Sequence, residues 1–209
     1  MNHVFAFCIA FLFAPAMAFG QVELSFYGGG QSVPSSDVSI RNQPSGSEDF
    51  GADWDSPRFL GLRATQWRSP SFGIGIDFAR NSVGASEDSL PSGYSELEFT
   101  DGVNTLTVNA YRRWSNVVGE LTPYLGGGVG VALPRVEVIG DGTETDEIQL
   151  TGPAATLIAG ASMPISDSWS FFGEYKGTIS ANTADLDGGG TLETDVLTNA
   201  LNVGVSFNF

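Results

Sequence analysis

The last thirteen residues, "LTNALNVGVSFNF", alternate without a break. Leu197, Leu201, Val203, Val205, Phe207 and Phe209 share one parity, and Thr198, Ala200, Asn202, Gly204, Ser206 and Asn208 share the other. A period of two is the geometry of a strand, whose successive side chains point to opposite faces. One face here is fully apolar and the other is small and polar. That inverts the soluble protein and suits a sheet closed around a crowded interior with lipid outside.

The same alternation recurs seven times upstream, in "VELSFYGG", "FLGLRATQW", "FGIGIDFAR", "NTLTVNAYRRW", "YLGGGVGVAL", "PAATLIAGASM" and "WSFFGEYKGTI". With the C-terminal strand that makes eight, and the expected fold is all-β, an eight-stranded antiparallel transmembrane barrel of outer-membrane type. The connections support it. Short turns are expected near 68–71, 115–120 and 166–168, and long loops near 34–57, 82–102, 135–150 and 181–195, which places both termini in the periplasm. Trp67, Trp114 and Trp169 flank the short turns, where an interfacial aromatic girdle would sit. A water-soluble lipocalin would also have eight alternating strands, but it would not need an aliphatic exterior on all of them. The terminal Phe209 resembles the signal read by the outer-membrane barrel-assembly machinery.

Residues 4–13, "VFAFCIAFLF", have the length of a signal-peptide apolar region and are too short to span a bilayer. Cleavage is expected after Ala18 or Gly20, giving a signal peptide over 1–20 and a barrel domain over 21–209. His3 and Cys8, the only histidine and cysteine, leave with it. The remaining chain then holds no disulfide, no cysteine or serine–histidine nucleophile and no histidine-based metal site. No haem, flavin, nicotinamide or zinc site is evident, and any metal would be a hard divalent cation, Ca or Mg, on oxygen ligands. A net charge of −15 argues against nucleic acid. Most of the acidic residues fall in the four long loops. They form either a solvated rim or a negative crown that holds divalent cations against the phosphates of lipopolysaccharide.

Eight strands leave an interior just wide enough to be filled by side chains. The inward Glu23, Arg63, Asp77, Arg113, Glu174 and Lys176 are therefore expected to form a salt-bridge network that plugs the lumen, which disfavours a solute channel. In the last loop, "NTADLDGGGTLETD", Asp185, Asp187, Glu193 and Asp195 surround a triple glycine. Aligned to a calcium loop from Asp185, Asp187 and Gly190 fit. Gly189 and Val196 fall where ligands are required, so this is not an EF-hand. A weaker oxygen site on those four carboxylates with help from other loops, or a plain hairpin loop with glycines at left-handed positions, remains.

Three segments, "LEFTDGVNTLTVNAYRRW" (97–114), "LTPYLGGGVGVALPRVEV" (121–138) and "SANTADLDGGGTLETDVLTNALNVGVSFNF" (180–209), resemble the lipid A oxidase group of small alphaproteobacterial outer-membrane barrels. The resemblance implies an outer face that acts on lipid A. The family reaction converts the proximal glucosamine to 2-aminogluconate with molecular oxygen, releasing hydrogen peroxide. It makes Glu98, Asp101, Asp185 and Asp187 candidate cation or sugar contacts. The chain departs from the family where Arg80 and Arg135 stand in place of histidines. Either the chemistry rests on a carboxylate-held metal, or the chain is a non-catalytic barrel that binds lipopolysaccharide through divalent cations. Arg135 would then suit a lipid A phosphate, which a guanidinium matches bidentately.

Overall fold

Alternating β-branched, aromatic and small residues, with few helix formers in series, favour strands throughout, and strands are what form. The structure, a computed structural model, describes residues 20–43, 46–55, 59–81, 83–90, 94–99, 103–115, 119–140, 143–187 and 190–209. The expected signal peptide, apart from Gly20, lies outside the described residues. In chain order the strands are β1 Gln21–Ser32, β2 Ser36–Gln43, β3 Gly46–Ala52, β4 Trp54–Asp55, β5 Phe59–Ser69, β6 Phe72–Asn81, β7 Val83–Ala85, β8 Tyr94–Phe99, β9 Thr105–Arg113, β10 Thr122–Ala132, β11 Arg135–Gly140, β12 Thr143–Ile148, β13 Gly152–Pro164, β14 Trp169–Asp185 and β15 Thr191–Asn208.

Eight of these close the barrel. They run β1-β5-β6-β9-β10-β13-β14-β15, all antiparallel, and β15 pairs back onto β1 from Glu23↔Asn208 to Ser32↔Asn199. Closure removes the open edges that a bilayer cannot satisfy. Among the described residues no helix is long and apolar enough to cross a membrane, and strands do the crossing. The expected apolar parity faces outward. Phe26, Leu62, Val129, Leu157 and Leu201 are exposed on the barrel wall, whereas Ser25, Arg63, Asn109 and Asn202 are buried inside. The outward row of β15 from Phe207 to Leu197 covers about 33 Å of strand at ~3.3 Å per residue. At a tilt of ~40° that is about 25 Å of height, the thickness of an outer-membrane apolar band.

The long connections differ from expectation. Instead of loops they are mostly further sheet that carries the barrel wall above the membrane. β2 and β3 form a hairpin on β15, while β4, β7, β8, β11 and β12 form a second sheet. The last hairpin runs on to Asp185↔Thr191, which leaves only 186–190 at its tip. The step from β1 to β2 shows how this escaped notice. Ser32 faces Asn199, but Val38 faces Thr194, so one extra residue is inserted around Pro34. A one-residue insertion flips every later side chain to the other face. Odd residues Ser25 and Tyr27 point inward before it, and even residues Val38 and Ile40 after it.

Three layers fill the interior. Trp67, Tyr111 and Ile158 pack on the periplasmic side, and Tyr27, Phe59, Ala79, Phe172 and Ala200 pack at mid-height. An outer apolar core joins Val33, Val38, Ile40, Trp54, Val83, Val103, Leu186, Leu192 and Val196. Glycines make room for the rings. Gly61 and Gly204 both register with Tyr27, and Gly73 and Gly126 with Tyr111. A Cβ on Gly61 would overlap the Tyr27 ring, and one on Gly126 would stand 2.5 Å from Tyr111. The inward glycines thus seat aromatic rings first, and the charges fit among the rings.

Candidate functional site

The charged lumen is built from neighbouring strands. Register places Arg63 of β5 beside Asp77 of β6, while Glu174 and Lys176 face inward from β14 across the barrel. Arg63 donates from Nε to Asp77 Oδ2 at 2.8 Å, and forks onto both oxygens of Glu174 at 2.7 and 3.0 Å. Lys176 Nζ donates to Asp77 Oδ1 at 2.6 Å and to Tyr27 Oη at 3.0 Å. The Tyr27 hydroxyl donates in turn to Asp77 at 2.7 Å, and Tyr124 donates to Glu174 at 2.7 Å. The Arg63 guanidinium also lies 4.9 Å from the Tyr27 ring centre and 5.2 Å from that of Tyr111. Two cations and two anions, all buried, balance to zero. Such a set is stable only while every member keeps its partners.

The structure does not bring the other two expected lumen residues into that cluster. Glu23 and Arg113 stand below it, on the periplasmic side. Glu23 accepts from Trp67 Nε1 at 3.1 Å, and Arg113 lies 3.7 Å from the Trp67 ring centre while its Nε donates to the Pro70 carbonyl. Trp67 therefore lines the lumen and leaves the expected girdle, because its odd parity on β5 is the inward one. Trp114 and Trp169 do face out, and Trp169 packs on Phe207 at 4.9 Å. A cavity of about 30 Å³ between Glu23, Arg63, Tyr111 and Tyr124 has room for a water or two, and the buried Tyr111 hydroxyl has no protein partner. Below it a vestibule of about 420 Å³, lined by Gln21, Glu23, Arg113, Glu120, Asp167 and Asn208, opens to the periplasm. Above the charges the Phe59 ring and the outer apolar core fill the lumen, while Phe172 lies on the periplasmic side of the charges.

At the outer rim, apolar rows give way to charge within one residue pair. Asp195 is the next outward residue above Leu197 on β15, and Glu193 is the one after it. Asp185, at the top of β14, points the same way, and the tip residue Asp187 is also exposed. Their cross-strand partners are Ala181, Thr183 and Thr191, so the carboxylates are strung along the outer face of the hairpin. Among the described residues no group of three or more acidic side chains gathers as a metal site. The four expected metal ligands thus do not make a cation site by themselves. On the neighbouring hairpin Asp49 accepts from the Ser39 hydroxyl at 2.7 Å and pairs with Arg41 at 2.7 Å. Those two donors hold its carboxyl below the usual range.

Arg80 is exposed on β6, one outward step above Phe78, which sets a guanidinium at the same boundary. Arg135 opens β11 opposite Ile148 and is half-buried. The Glu98 backbone pairs with Gly84 and Glu137, its side chain lies outside the described residues, and so does all of Asp101. Two groups central to the lumen, Tyr27 and Tyr124, were not anticipated from sequence. The available signal was a tyrosine at an inward position, with glycine at its registered neighbour on the adjoining strand.

The comparisons agree with this architecture. The Neisserial surface protein A structure superimposes with a TM-score of 0.54 at 14% identity, over 91% of this chain and 99% of that one. The outer membrane protein OprG from Pseudomonas aeruginosa gives 0.59 at 13% identity, over 91% and 96%. AlkL, solved in lipid bilayers, gives 0.52 at 19% identity, over 91% and 90%. At these identities the likeness is one of fold. No curated protein sequence matches the chain. The family described as the outer membrane protein beta-barrel domain matches residues 5–209. The chain therefore belongs to the outer membrane protein beta-barrel family, and it resides in the outer membrane of a Gram-negative bacterium.

Proposed function

We propose that the protein is a sealed outer-membrane barrel whose outer rim binds the phosphorylated headgroup of lipid A, in part through bridging divalent cations. One observation carries this reading. The outward rows change from apolar to charged at the outer end of the apolar belt, at Leu197–Asp195 on β15 and at Phe78–Arg80 on β6. Carboxylates spread along a wall do not chelate a cation alone, but each can share one with a lipid phosphate, since calcium accepts six to eight oxygens from mixed sources. Exposed arginine supplies the direct phosphate contact.

The sequence resemblance supports a finer reading, oxidation of the proximal glucosamine of lipid A. In that reading the same rim holds the sugar, and a carboxylate-held metal would supply the oxygen chemistry. Lipid A extracted from cells with and without the protein separates the two. A binding barrel leaves the mass of the headgroup unchanged. An oxygen gained on the proximal sugar only when the protein is present would establish the oxidase and displace the purely binding role.

A further inference from the structure

The lipid-facing row of β15 has a polar break inside the apolar belt. It runs Phe207, Val205, Val203, Leu201, Asn199 and Leu197 before it reaches Asp195. Four residues at ~3.3 Å each and a tilt of ~40° set Asn199 about 10 Å below Asp195, within the hydrocarbon. Register places Asn199 between Ser32 of β1 and Gly177 of β14, and sets Gly30 and Tyr175 on either side of Leu201. The Tyr175 ring lies along the bare Gly177 backbone, where a Cβ would stand 3.1 Å from its Oη. Its hydroxyl donates to Asn199 Oδ1 at 2.6 Å. A Cβ on Gly30 would meet nothing within 4 Å among the described residues. Half-buried between two exposed leucines, Asn199 is the floor of a shallow polar notch that opens to lipid.

The tyrosine uses only part of what the amide offers. Asn199 Nδ2 carries two N–H donors and has no protein partner among the described residues, and Tyr175 Oη keeps its lone pairs. Turning the amide over exchanges the roles, with Nδ2 donating to Tyr175 Oη and the phenolic proton left to give. In both settings the notch presents a donor and an acceptor to the membrane. Polar groups that face hydrocarbon are costly unless a partner meets them. A phospholipid ester carbonyl only accepts. The amide-linked hydroxyacyl chain of lipid A carries N–H, C=O and O–H together, just beneath its sugar. We propose that Asn199, Tyr175 and the neighbouring Ser32 form a site for that amide-and-hydroxyl junction of a lipid A acyl chain, below the headgroup at the rim. The site rests on the lipid A reading above and adds a selectivity that rim charge lacks, because carboxylates bridged by cations accept any phosphorylated lipid.

The test uses the full chain in detergent with magnesium, titrated with lipid A or with a diester phosphatidylglycerol, and bound lipid is counted by native mass spectrometry. Asn199→Leu should weaken lipid A binding about three- to tenfold, the weight of one hydrogen bond or two, and leave phosphatidylglycerol binding unchanged. Tyr175→Phe keeps the ring and should show the same selective loss to a smaller degree. Both positions face lipid, so both variants should keep the heat-modifiable mobility of a folded barrel. Equal loss of both lipids would overturn the assignment. So would a wild-type dimer that Asn199→Leu abolishes, since the notch would then face a second copy. Lipid A binding untouched by Asn199→Leu, yet lost when Asp185, Asp187, Glu193 and Asp195 are neutralised, would sink the notch and leave the rim. Lipid A binding that responds to neither change would sink both.

Discussion

Replacing Asp77 with Ala is expected to lower the stability of the barrel by about 3–5 kcal/mol, the usual result of stranding a buried charge. Asp77 is fully buried and touches both cations and Tyr27. Its loss takes the carboxylate from Lys176 and leaves Arg63 with the Glu174 fork, in an interior with little water to replace it. The paired change Asp77→Asn with Lys176→Met should cost much less, because it removes one charge of each sign and leaves the Arg63–Glu174 fork intact. Urea unfolding, followed by the heat-modifiable gel mobility of the barrel, measures both. A loss under about 1 kcal/mol for Asp77→Ala would mean that water reaches the site and that the lumen is not filled as described.

Gly61→Val should be nearly as harmful for a different reason, with a loss of about 3 kcal/mol or failure of the barrel to close. Its side chain would occupy the space of the Tyr27 ring, which packs between β5 and β15. Displacing the ring also takes the Tyr27 hydroxyl from Asp77 and Lys176. Gly127→Val is the control. Gly127 faces the lipid, and an added Cβ comes only to 3.4 Å from the Thr156 carbonyl. It should be close to neutral, since an apolar side chain there joins the belt. Equal effects at the two glycines would show that the loss is one of backbone freedom, and that ring seating plays no part.

The barrel was legible because lipid enforces one rule on all eight crossing strands: outward residues must be apolar. That rule writes itself into parity, and parity survives in every strand from Val22 to Phe209. The outer extensions obey no such rule on their outward faces, which meet water, while their inward faces pack into the outer apolar core. Val38 and Ile40 do alternate, but the extra residue near Pro34 puts them out of step with β1, and a reading by parity stops there. Trp67 leaves the expected girdle because its parity on β5, and not its place beside a turn, decides which face it takes. The charged residues of the lumen could be named from their inward parity. Which of them meet could not, because Glu174 reaches Arg63 across the barrel interior and no spacing along the chain records that distance. At the rim, the carboxylates of 185–195 could be named from sequence, but their spacing along the wall could not. Alternation along a hairpin sets Glu193 and Asp195 side by side on one face, which spreads their charge along the wall.

Lipid A held by this rim should stay with the barrel through purification. The protein would be purified from a lipopolysaccharide-containing outer membrane in magnesium, with and without chelator, and the lipid A left on each barrel counted by native mass spectrometry. Bound lipid A should survive in magnesium and fall away with chelator, and the variant Asp185→Asn, Asp187→Asn, Glu193→Gln, Asp195→Asn should lose it in magnesium as well. Equal retention by the wild type and this variant, indifferent to chelator, would contradict the account.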